Sequence, residues 1–275
     1  MKHPLISIIV PTYNSSATLG DCLQSIADQT YDSIELIVVD NNSKDNTKEV
    51  AAKFTKHVFN IGPERSAQRN YGVSIAKGDY VAIIDSDMEL KPEVISACVA
   101  RVNADPAIGG VVIPEESFGK GFWAQCKRLE RSFYVGVSWM EAARFYRKDL
   151  YVKLGGYNEN LISGEDWDLS QRIGAIAPIS RVDQFIMHNE GHLHLARTLK
   201  KKYYYAQKFA QYLEANKETE QVASQTGLIG RYKLFLSKPG KLFRNPILGV
   251  GMLFMKTCEF GFGGFGYVVT KLRAK

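Results

Sequence analysis

The first hundred residues of this chain alternate between short apolar runs and amphipathic stretches. The apolar runs are rich in Val and Ile, as are strands that a parallel sheet buries on both faces. These runs span Leu5–Val10, Ile34–Val39, Val58–Asn60 and Tyr80–Ile84. After the first run, a helix with one apolar face is predicted by the i, i+3, i+4, i+7 spacing of Leu19, Cys22, Leu23 and Ile26. The alternation predicts an α/β fold built on a doubly wound, mostly parallel sheet.

Further elements follow from the same patterns. Helices are expected at about 47–54 and 64–76, and a third begins at Pro92, where Pro suits the first turn. A short strand is predicted at Gly109–Pro114. Beyond it the periodicity loosens, and we interpret 145–154 and 164–173 as turn and helix elements that add a second half to the sheet.

Charge is unevenly distributed along the 275 residues. Residues 1–196 contain 20 Lys and Arg against 25 Asp and Glu, whereas residues 197–275 contain 15 against 4. The net charge of +6 therefore combines an acidic front with a basic back. This asymmetry predicts an anionic partner for the basic part, either nucleic acid or a membrane surface.

The four cysteines indicate neither a disulfide framework nor a structural zinc site, because they are widely separated and none forms a C-x-x-C pair. We expect them to be reduced thiols. The run from Leu5 follows a single Lys and is not followed by a small-residue cleavage site, so we expect no signal peptide. A cytoplasmic location is the resulting prediction.

Polar residues follow three of the predicted strands where each one ends. Thr12 to Asn14 follow the first strand, Asp40 the second, and Asp85 with Asp87 the fourth. Ligands of an open parallel sheet bind at the carboxyl ends of its strands, so we expect these residues to line one site. Aspartates two positions apart can bind one divalent cation, which in turn can bridge two phosphates. A lone D-x-D is usually a surface turn, but its position after a buried strand favours the functional interpretation.

Four longer segments occur in one order: LISIIVPTYNSSATLGDCLQSI, IELIVVDNNSKDNT, ERSAQRNYGVSIAKGDYVAIIDSDMEL and LGGYNENLISGEDWDLSQRI. Together they resemble the family two inverting glycosyltransferases of GT-A fold, over about residues 4–195. The resemblance implies a catalytic domain at 1–196, with a donor half at about 1–114 and an acceptor half at about 115–196. A basic, aromatic and helical region at 197–275 would follow. The implied reaction moves a sugar from a nucleoside diphosphate sugar, expected to be UDP-linked, to a hydroxyl of a saccharide or lipid-linked saccharide.

On the donor side, the resemblance assigns a nucleotide pocket. Its lining would be formed by Pro11, Thr12, Tyr13 and Asn14. Asp40 would hydrogen-bond the base, and Arg69 would approach the nucleotide. Arg65 is a further candidate, because a guanidinium pairs with phosphate through a fork of donors. Since Asn41 and Asn42 follow Asp40 where many relatives have a second acid, the identity of the base stays open.

The resemblance also implies a bound Mn or Mg ion. Asp85 would face the ribose and the metal, Asp87 would bind the metal directly, and Ser86 lies between them. Relatives often add a histidine ligand, which here would be His188 or His192. We prefer His188 because it ends a predicted strand.

The acidic pair Glu165 and Asp166 matches the family's catalytic position, where the aspartate is the general base for the acceptor hydroxyl. For an isolated acidic pair at the start of a helix, capping favoured by the helix dipole is the ordinary alternative. Trp139, Glu141 and Trp167 are candidates to contact the acceptor, although tryptophan is more often a core residue.

Other classes remain as alternatives. A nucleotidyltransferase would share the sheet and the acidic metal site, but it would normally have a glycine-rich phosphate loop near the start, and residues 10–16 contain no glycine. A non-catalytic nucleotide-sugar-binding protein would be expected to lack Asp87 or Asp166. A polyprenyl-phosphate sugar synthase is the alternative within the same class.

The basic end of the chain is predicted to contact a membrane. Residues 242–269 are rich in Phe, Gly, Leu, Met and Val, but charged residues interrupt them before the ~20 residues that a membrane-spanning helix needs. We expect this stretch, and the run Lys200–Tyr205, to lie at the headgroup level of the inner face of the cell membrane. The alternatives are packing on the catalytic domain and an oligomer contact. No nucleic-acid partner is expected, because no nucleic-acid-binding motif is present elsewhere.

Overall fold

The computed structural model describes residues 3–161, 163–215 and 227–273. The strands are β1 (Ile6–Thr12), β2 (Ile34–Asp40), β3 (Val58–Asn60), β4 (Tyr80–Ile83), β5 (Met88–Leu90), β6 (Gly110–Val112), β7 (Glu115–Lys120), β8 (Ala143–Arg147), β9 (Ile179–Arg181) and β10 (Ile186–His192). The helices are α1 (Leu19–Ala27), α2 (Thr47–Ala51), α3 (Arg65–Ile75), α4 (Val94–Ala104), α5 (Phe122–Ser132), α6 (Lys148–Lys153), α7 (Glu165–Gly174), α8 (Leu195–Ala215), α9 (Leu228–Leu236), α10 (Pro239–Leu242) and α11 (Pro246–Arg273).

The main sheet has seven strands in the order β3-β2-β1-β4-β8-β6-β9. The first four are parallel to one another, β8 is antiparallel to both of its neighbours, and β6 is parallel to β9. The predicted α/β fold with a mostly parallel sheet is therefore confirmed. The register places Thr12 level with Asp40, so the carboxyl ends of β1 and β2 lie side by side.

Helices cover both faces of this sheet. Successive residues of β1 point to opposite faces, so neighbouring residues of the strand pack against different helices. Ile8 belongs to the core cluster that contains the apolar faces of α1 and α4. Ile9 belongs to the cluster on the other face, which includes Val73 of α3 and Ile173 of α7. All seven residues of β1 are buried, and each apolar side chain of this size contributes about 1.5–3 kcal/mol when it is fully buried.

The structure differs from the sequence prediction at the segment interpreted as turn and helix from Phe145 onward. Here β8 occupies Ala143–Arg147 and pairs with β4 and β6, and only the following residues form the helix α6. The strand was missed because two arginines interrupt its apolar pattern, ARFYR.

The chain divides into two compact units. The first contains residues 1–114, 142–159 and 165–189, and the second contains residues 115–141, 160–164 and 190–275. In the second unit, Ser117 of β7 donates a hydrogen bond to Glu190 on the last part of β10 (2.7 Å). Its apolar core joins Cys126 and Phe133 of α5 to Phe235 of α9 and to Met252 and Met255 of α11. Within residues 3–161, 163–215 and 227–273, no helix combines the length and the apolar character needed to cross a bilayer.

An ion cluster lies inside the second unit. Lys256 of α11 bonds Glu130 of α5 at 2.6 Å and Glu259 at 2.9 Å. Lys127 bonds the same two carboxylates, at 2.8 and 3.2 Å. Burial disfavours ionised Glu259, but Lys127 and Lys256 outweigh it and lower the pKa of Glu259 to about 2. The two helices are thus joined by paired charges that are buried from water.

Acid should weaken this cluster. Because the folded-state pKa of Glu259 lies below its ordinary value of 4.5, its contribution is complete above about pH 4.5 and is lost as the pH falls through about 2. We expect the free energy of unfolding to fall over this window more steeply in the wild type than in Glu259→Gln, by on the order of 3 kcal/mol. Urea titrations followed by tryptophan fluorescence measure this, since Trp123 and Trp139 lie in the second unit. The exposed Glu93→Gln should match the wild type, and equal slopes for Glu259→Gln and the wild type would contradict the expectation.

Candidate active site

The ends of β1 and β2 form a hydrogen-bonded polar cluster, Thr12, Asp40 and Ser43, which we name the polar wall. Asp40 is completely buried, and its carboxylate accepts hydrogen bonds from the Thr12 hydroxyl (2.9 Å), the Ser43 hydroxyl (2.5 Å) and the Ser43 backbone amide (2.8 Å). These bonds fix the loop after β2 against the end of β1. Asp40 therefore shapes the wall from inside, and its predicted bond to a base stays a prediction.

The loop after β1 presents an exposed aromatic ring. Pro11 and Thr12 are buried at the strand end, whereas Tyr13 is 60% exposed. Asn14 has φ +49°, in the left-handed region that asparagine tolerates, and its side-chain oxygen accepts a bond from the Lys44 amide (2.8 Å). The turn leaves the Tyr13 ring in solvent, next to the buried wall.

Arg69 is the centre of the site. Its side chain is fully buried on α3, and Nη2 donates to Asp85 at 2.6 Å. Nη1 lies 3.1 Å from the Asp166 carboxylate and 3.3 Å from that of Glu165. The guanidinium also lies over the Tyr157 ring, 4.9 Å from its centroid. A single buried cation thus joins the acidic residue that follows β4 to the acidic pair that opens α7.

The surroundings of Asp85 keep its carboxylate ionised. Burial would raise its pKa, but Arg69 and Arg144 outweigh burial and hold the pKa of Asp85 well below its ordinary value. Arg144 of β8 contributes through Nη1, which is 3.5 Å from the second carboxylate oxygen. Ser86 turns away from this group, since its hydroxyl bonds that of Ser15 at 2.8 Å.

Glu165 and Asp166 differ in what they can reach. Both lie in the first turn of α7, where the helix dipole favours carboxylates. The Glu165 side chain is 5% exposed and lies 3.1 Å from Arg65, while burial and the neighbouring Asp166 raise its pKa. The Asp166 side chain is 26% exposed, and it accepts a bond from the Tyr157 hydroxyl at 3.0 Å. Only Asp166 of this pair has a carboxylate open enough to meet a substrate hydroxyl.

Strand pairing brings Asp87 and His188 together. β5 begins directly after Asp87, and in the antiparallel pair of β5 and β10 His188 lies opposite Met88. His188 Nε2 is therefore 3.6 Å from an Asp87 oxygen, and the Asp87 side chain is 44% exposed. The Asn189 amide fixes the backbone by donating to the Asp87 carbonyl at 2.8 Å.

A carboxylate and an imidazole nitrogen at this spacing suit Mn²⁺ or Mg²⁺, cations that fill their remaining positions with water and phosphate oxygens. Asp85 fits this role less well, because both of its oxygens face arginines. In the described part of the chain, no group of three or more His, Cys, Asp or Glu residues forms a closed metal cage. Asp87 and His188 are thus the residues that could hold a metal with the help of a ligand's phosphates.

The remaining candidates have surroundings of their own. Trp139 and Glu141 belong to the second unit, where Arg231 lies over the Trp139 ring at 5.5 Å and Glu141 accepts a bond from the Gly136 amide. His192 is also in the second unit, with its ring 4.8 Å from that of His194. Trp167 follows the acidic pair on α7 and is partly buried. Of the two histidines proposed as ligands, His188 is the one that shares a unit with Asp87.

Sequence reasoning missed two residues of the site. Arg144 is 7% exposed and faces both Asp85 and Asp166, the latter at 3.9 Å. Tyr157 contacts both Arg69 and Asp166. For Arg144, the available signal was its position within the stretch ARFYR, since a charged residue in a buried strand needs a charged partner.

A sheet of this order, with an ionised aspartate at the end of β4 and an open carboxylate on α7, is the arrangement expected of the GT-A fold. The model of the family described as glycosyl transferase family 2 matches residues 7–159, more than half of the chain. The chain belongs to glycosyl transferase family 2.

Individual relatives agree with this assignment. The glycosyltransferase GlyG of Streptococcus pneumoniae is 37% identical over 130 residues, which cover 43% of this chain and 43% of that protein. The match thus spans less than half the length of this curated relative.

Solved structures share the fold. The mannosyltransferase PcManGT from Pyrobaculum calidifontis, in complex with GDP-Man and Mn²⁺, has a TM-score of 0.65 at 16% identity, over 100% of this chain and 89% of that one. Residues 1–349 of TarS from S. aureus, in complex with UDP-GlcNAc, have a TM-score of 0.52 at 18% identity, over 98% and 92%. At these identities the likeness concerns the fold alone.

Proposed function

We propose that this chain is a metal-dependent, inverting glycosyltransferase that moves a sugar from a UDP-sugar to a hydroxyl of a saccharide or lipid-linked saccharide. One observation carries the proposal: the open carboxylate of Asp166 and the ionised carboxylate of Asp85 are held by the same buried arginine, Arg69. A donor-side group and a base for the acceptor are therefore positioned together. The family assignment and the nucleotide-sugar complexes of similar fold support this proposal.

The donor would lie at the carboxyl ends of β1, β2 and β4. In this proposal Tyr13 covers the base and Asp40 keeps the wall rigid. Arg65 is suited to a phosphate, because its side chain is 46% exposed while it bonds Glu165. Asp85 meets the ribose, as the resemblance implies.

Asp87 and His188 would hold Mn²⁺ or Mg²⁺. When bound, the cation neutralises charge on the departing diphosphate. Asp87 is exposed enough for a ligand's phosphates to reach it, and strand pairing fixes His188 beside it.

The proposed chemistry at Asp166 is a single displacement. The acceptor hydroxyl oxygen forms a bond to the anomeric carbon on the face opposite the diphosphate, while the bond from that carbon to the diphosphate oxygen breaks. Asp166 takes the hydroxyl proton, and Tyr157 and Arg69 hold its carboxylate in place. The products are a glycoside with inverted configuration and a nucleoside diphosphate. NMR of the product anomer tests this directly, and a product that retains the donor's configuration would refute the inverting mechanism.

On the acceptor side, we propose contacts from Trp139, Glu141 and Trp167. The basic region at 197–275 favours a lipid-linked acceptor at the inner face of the cell membrane, because anionic lipids attract clustered Lys and Arg. Polyprenyl phosphate as the direct acceptor is the competing possibility, and product analysis with each acceptor separates the two.

Binding of the donor should depend on metal. A thermal-shift panel of UDP- and GDP-sugars, with and without Mn²⁺, should show the largest stabilisation for a UDP-sugar with metal, about 2.7 kcal/mol at a ligand concentration 100 times Kd. Asp87→Ala and His188→Ala should each lose the Mn²⁺-dependent part of the shift. Asp183→Ala is the matched control, since its side chain is 90% exposed and makes a surface pair. An unchanged Mn²⁺ response in Asp87→Ala would contradict the proposed ligand.

A further inference from the structure

Helix α11 buries its charged residues, whereas a surface helix of a globular protein turns its charged residues toward solvent. Its charged residues between Pro246 and Val268 are Lys256 and Glu259, and both are buried. They are bonded to each other at 2.9 Å and to the charges of α5 in the ion cluster. Both charges of this stretch therefore lie on the inward side of the helix, together with the buried Met252 and Met255.

The outward side of α11 is apolar. Along the helix, the exposed large side chains are Ile247 (74%), Val250 (60%), Phe254 (55%), Phe262 (49%), Phe265 (63%) and Val268 (51%). Ile247, Val250 and Phe254 follow the spacing of one helix face, and the next exposed positions on that face are Thr257, Gly261 and Gly264. From Ile247 to Val268, about six helical turns, this face presents no charge to the solvent.

The same character extends to the helices before it. Exposed apolar side chains on α9, and directly after α10, are Leu228, Ile229, Leu236 and Phe243. Exposed cations stand among them at Lys233, Lys238 and Arg244. From residue 227 to 275 the sequence has nine Lys and Arg, and its single acid is the buried Glu259. The exposed surface of this region is thus largely apolar, and the exposed charges on it are all basic.

We propose that the outward face of α9 to α11, which we name the apolar-basic face, binds the surface of an anionic phospholipid bilayer. The apolar side chains would enter the boundary between headgroups and acyl chains, while Lys233, Lys238 and Arg244 meet the lipid phosphates. A second copy of the chain complements this face less well, because a two-fold contact would bring its cations against their own copies. This property goes beyond glycosyl transfer, and it can be measured without any sugar donor.

Flotation of the full chain with vesicles tests the proposal. The chain should float with phosphatidylcholine vesicles that contain phosphatidylglycerol, and much less with phosphatidylcholine alone. The double variant Ile247→Ser/Phe254→Ser should bind at least about tenfold more weakly, since it removes two inserting side chains. The charge variant Lys238→Gln/Arg244→Gln should lose most of the preference for phosphatidylglycerol, and salt should weaken the wild type similarly.

The matched control is Val152→Ser/Ile176→Ser, which changes two apolar residues of the first unit that are 58% and 50% exposed. It should float like the wild type. Failure of the wild type to float, or equal flotation of Ile247→Ser/Phe254→Ser, would overturn the proposal. A concentration-dependent dimer that forms without lipid and dissociates in Phe254→Ser would also overturn the proposal, because the face would then be a contact between copies. Donor binding in the thermal-shift panel is a separate readout, so loss of vesicle binding leaves the proposed reaction untouched.

Discussion

Replacing Asp166 with Asn is expected to lower the turnover of glycosyl transfer by about 10²- to 10⁴-fold, while the affinity for the nucleotide sugar changes little. The amide has nearly the shape of the carboxylate and can still accept the Tyr157 bond, but it cannot take the acceptor's proton. Donor binding is expected to survive because it depends on the strand ends around Asp85, which Arg69 still holds. Turnover is measured with saturating donor, and the donor Kd is measured separately by calorimetry.

Asp168→Asn is the control for this experiment. It makes the same chemical change in the first turn of the same helix, but Asp168 pairs with Arg172 at 2.6 Å and has no contact with Arg69. We expect its effect on stability to exceed its effect on turnover per folded molecule. If Asp166→Asn weakens donor binding and leaves turnover intact, Asp166 is not the base.

The first half of the fold could be predicted because its signals are local. β1, β2 and β4 are largely buried, so their apolar runs show in the sequence, and the polar residues that end them mark the edge of the sheet where a ligand is expected to bind. The pair Asp85 and Asp87 was recognised in this way. Their different surroundings were not: Asp85 faces two arginines, whereas Asp87 is exposed beside His188.

The contacts that distinguish the two aspartates join residues far apart in the chain. Arg144 reaches Asp85 because β8 inserts antiparallel beside β4, a pairing that no local pattern specifies. The register of β5 and β10 likewise places His188 beside Asp87. The sequence preferred His188 as the end of a strand, and that reason was wrong, because β10 continues to His192. In α11 the apolar composition was visible, but which side faces outward depends on the charges of α5.

Arg69 connects these observations, since it contacts Asp85, Glu165 and Asp166 together. A cation without exposure is stable only through such partners, because removing it from water is costly and attraction to the carboxylates must offset that cost. The arrangement also fixes the geometry, because the planar guanidinium of Arg69 donates hydrogen bonds in two fixed directions at once. The carboxylates of Asp85 and Asp166, which we propose act on the donor and on the acceptor, thereby keep one spacing.

Arg69→Met should consequently lower the free energy of unfolding by about 3–5 kcal/mol at pH 7, because three carboxylates lose their buried cation. Arg69→Lys should recover only part of this loss, since an ammonium cannot bond both sides of the site. Arg147→Met is the control: this arginine pairs with the exposed Asp149, and its loss should cost no more than about 1 kcal/mol. Urea unfolding of the four proteins measures these differences.

The pH dependence separates this electrostatic role from simple loss of packing. Because Arg69 and Arg144 hold the folded-state pKa of Asp85 below its ordinary 3.8, the stabilisation from Asp85 is complete above that pH and is lost as the pH falls further. The stability gap between wild type and Arg69→Met should therefore be largest at neutral pH and narrow below about pH 4. A gap that stays constant from neutral pH to pH 3 would mean that Arg69 acts through volume alone, and the shared-cation account of the site would be wrong.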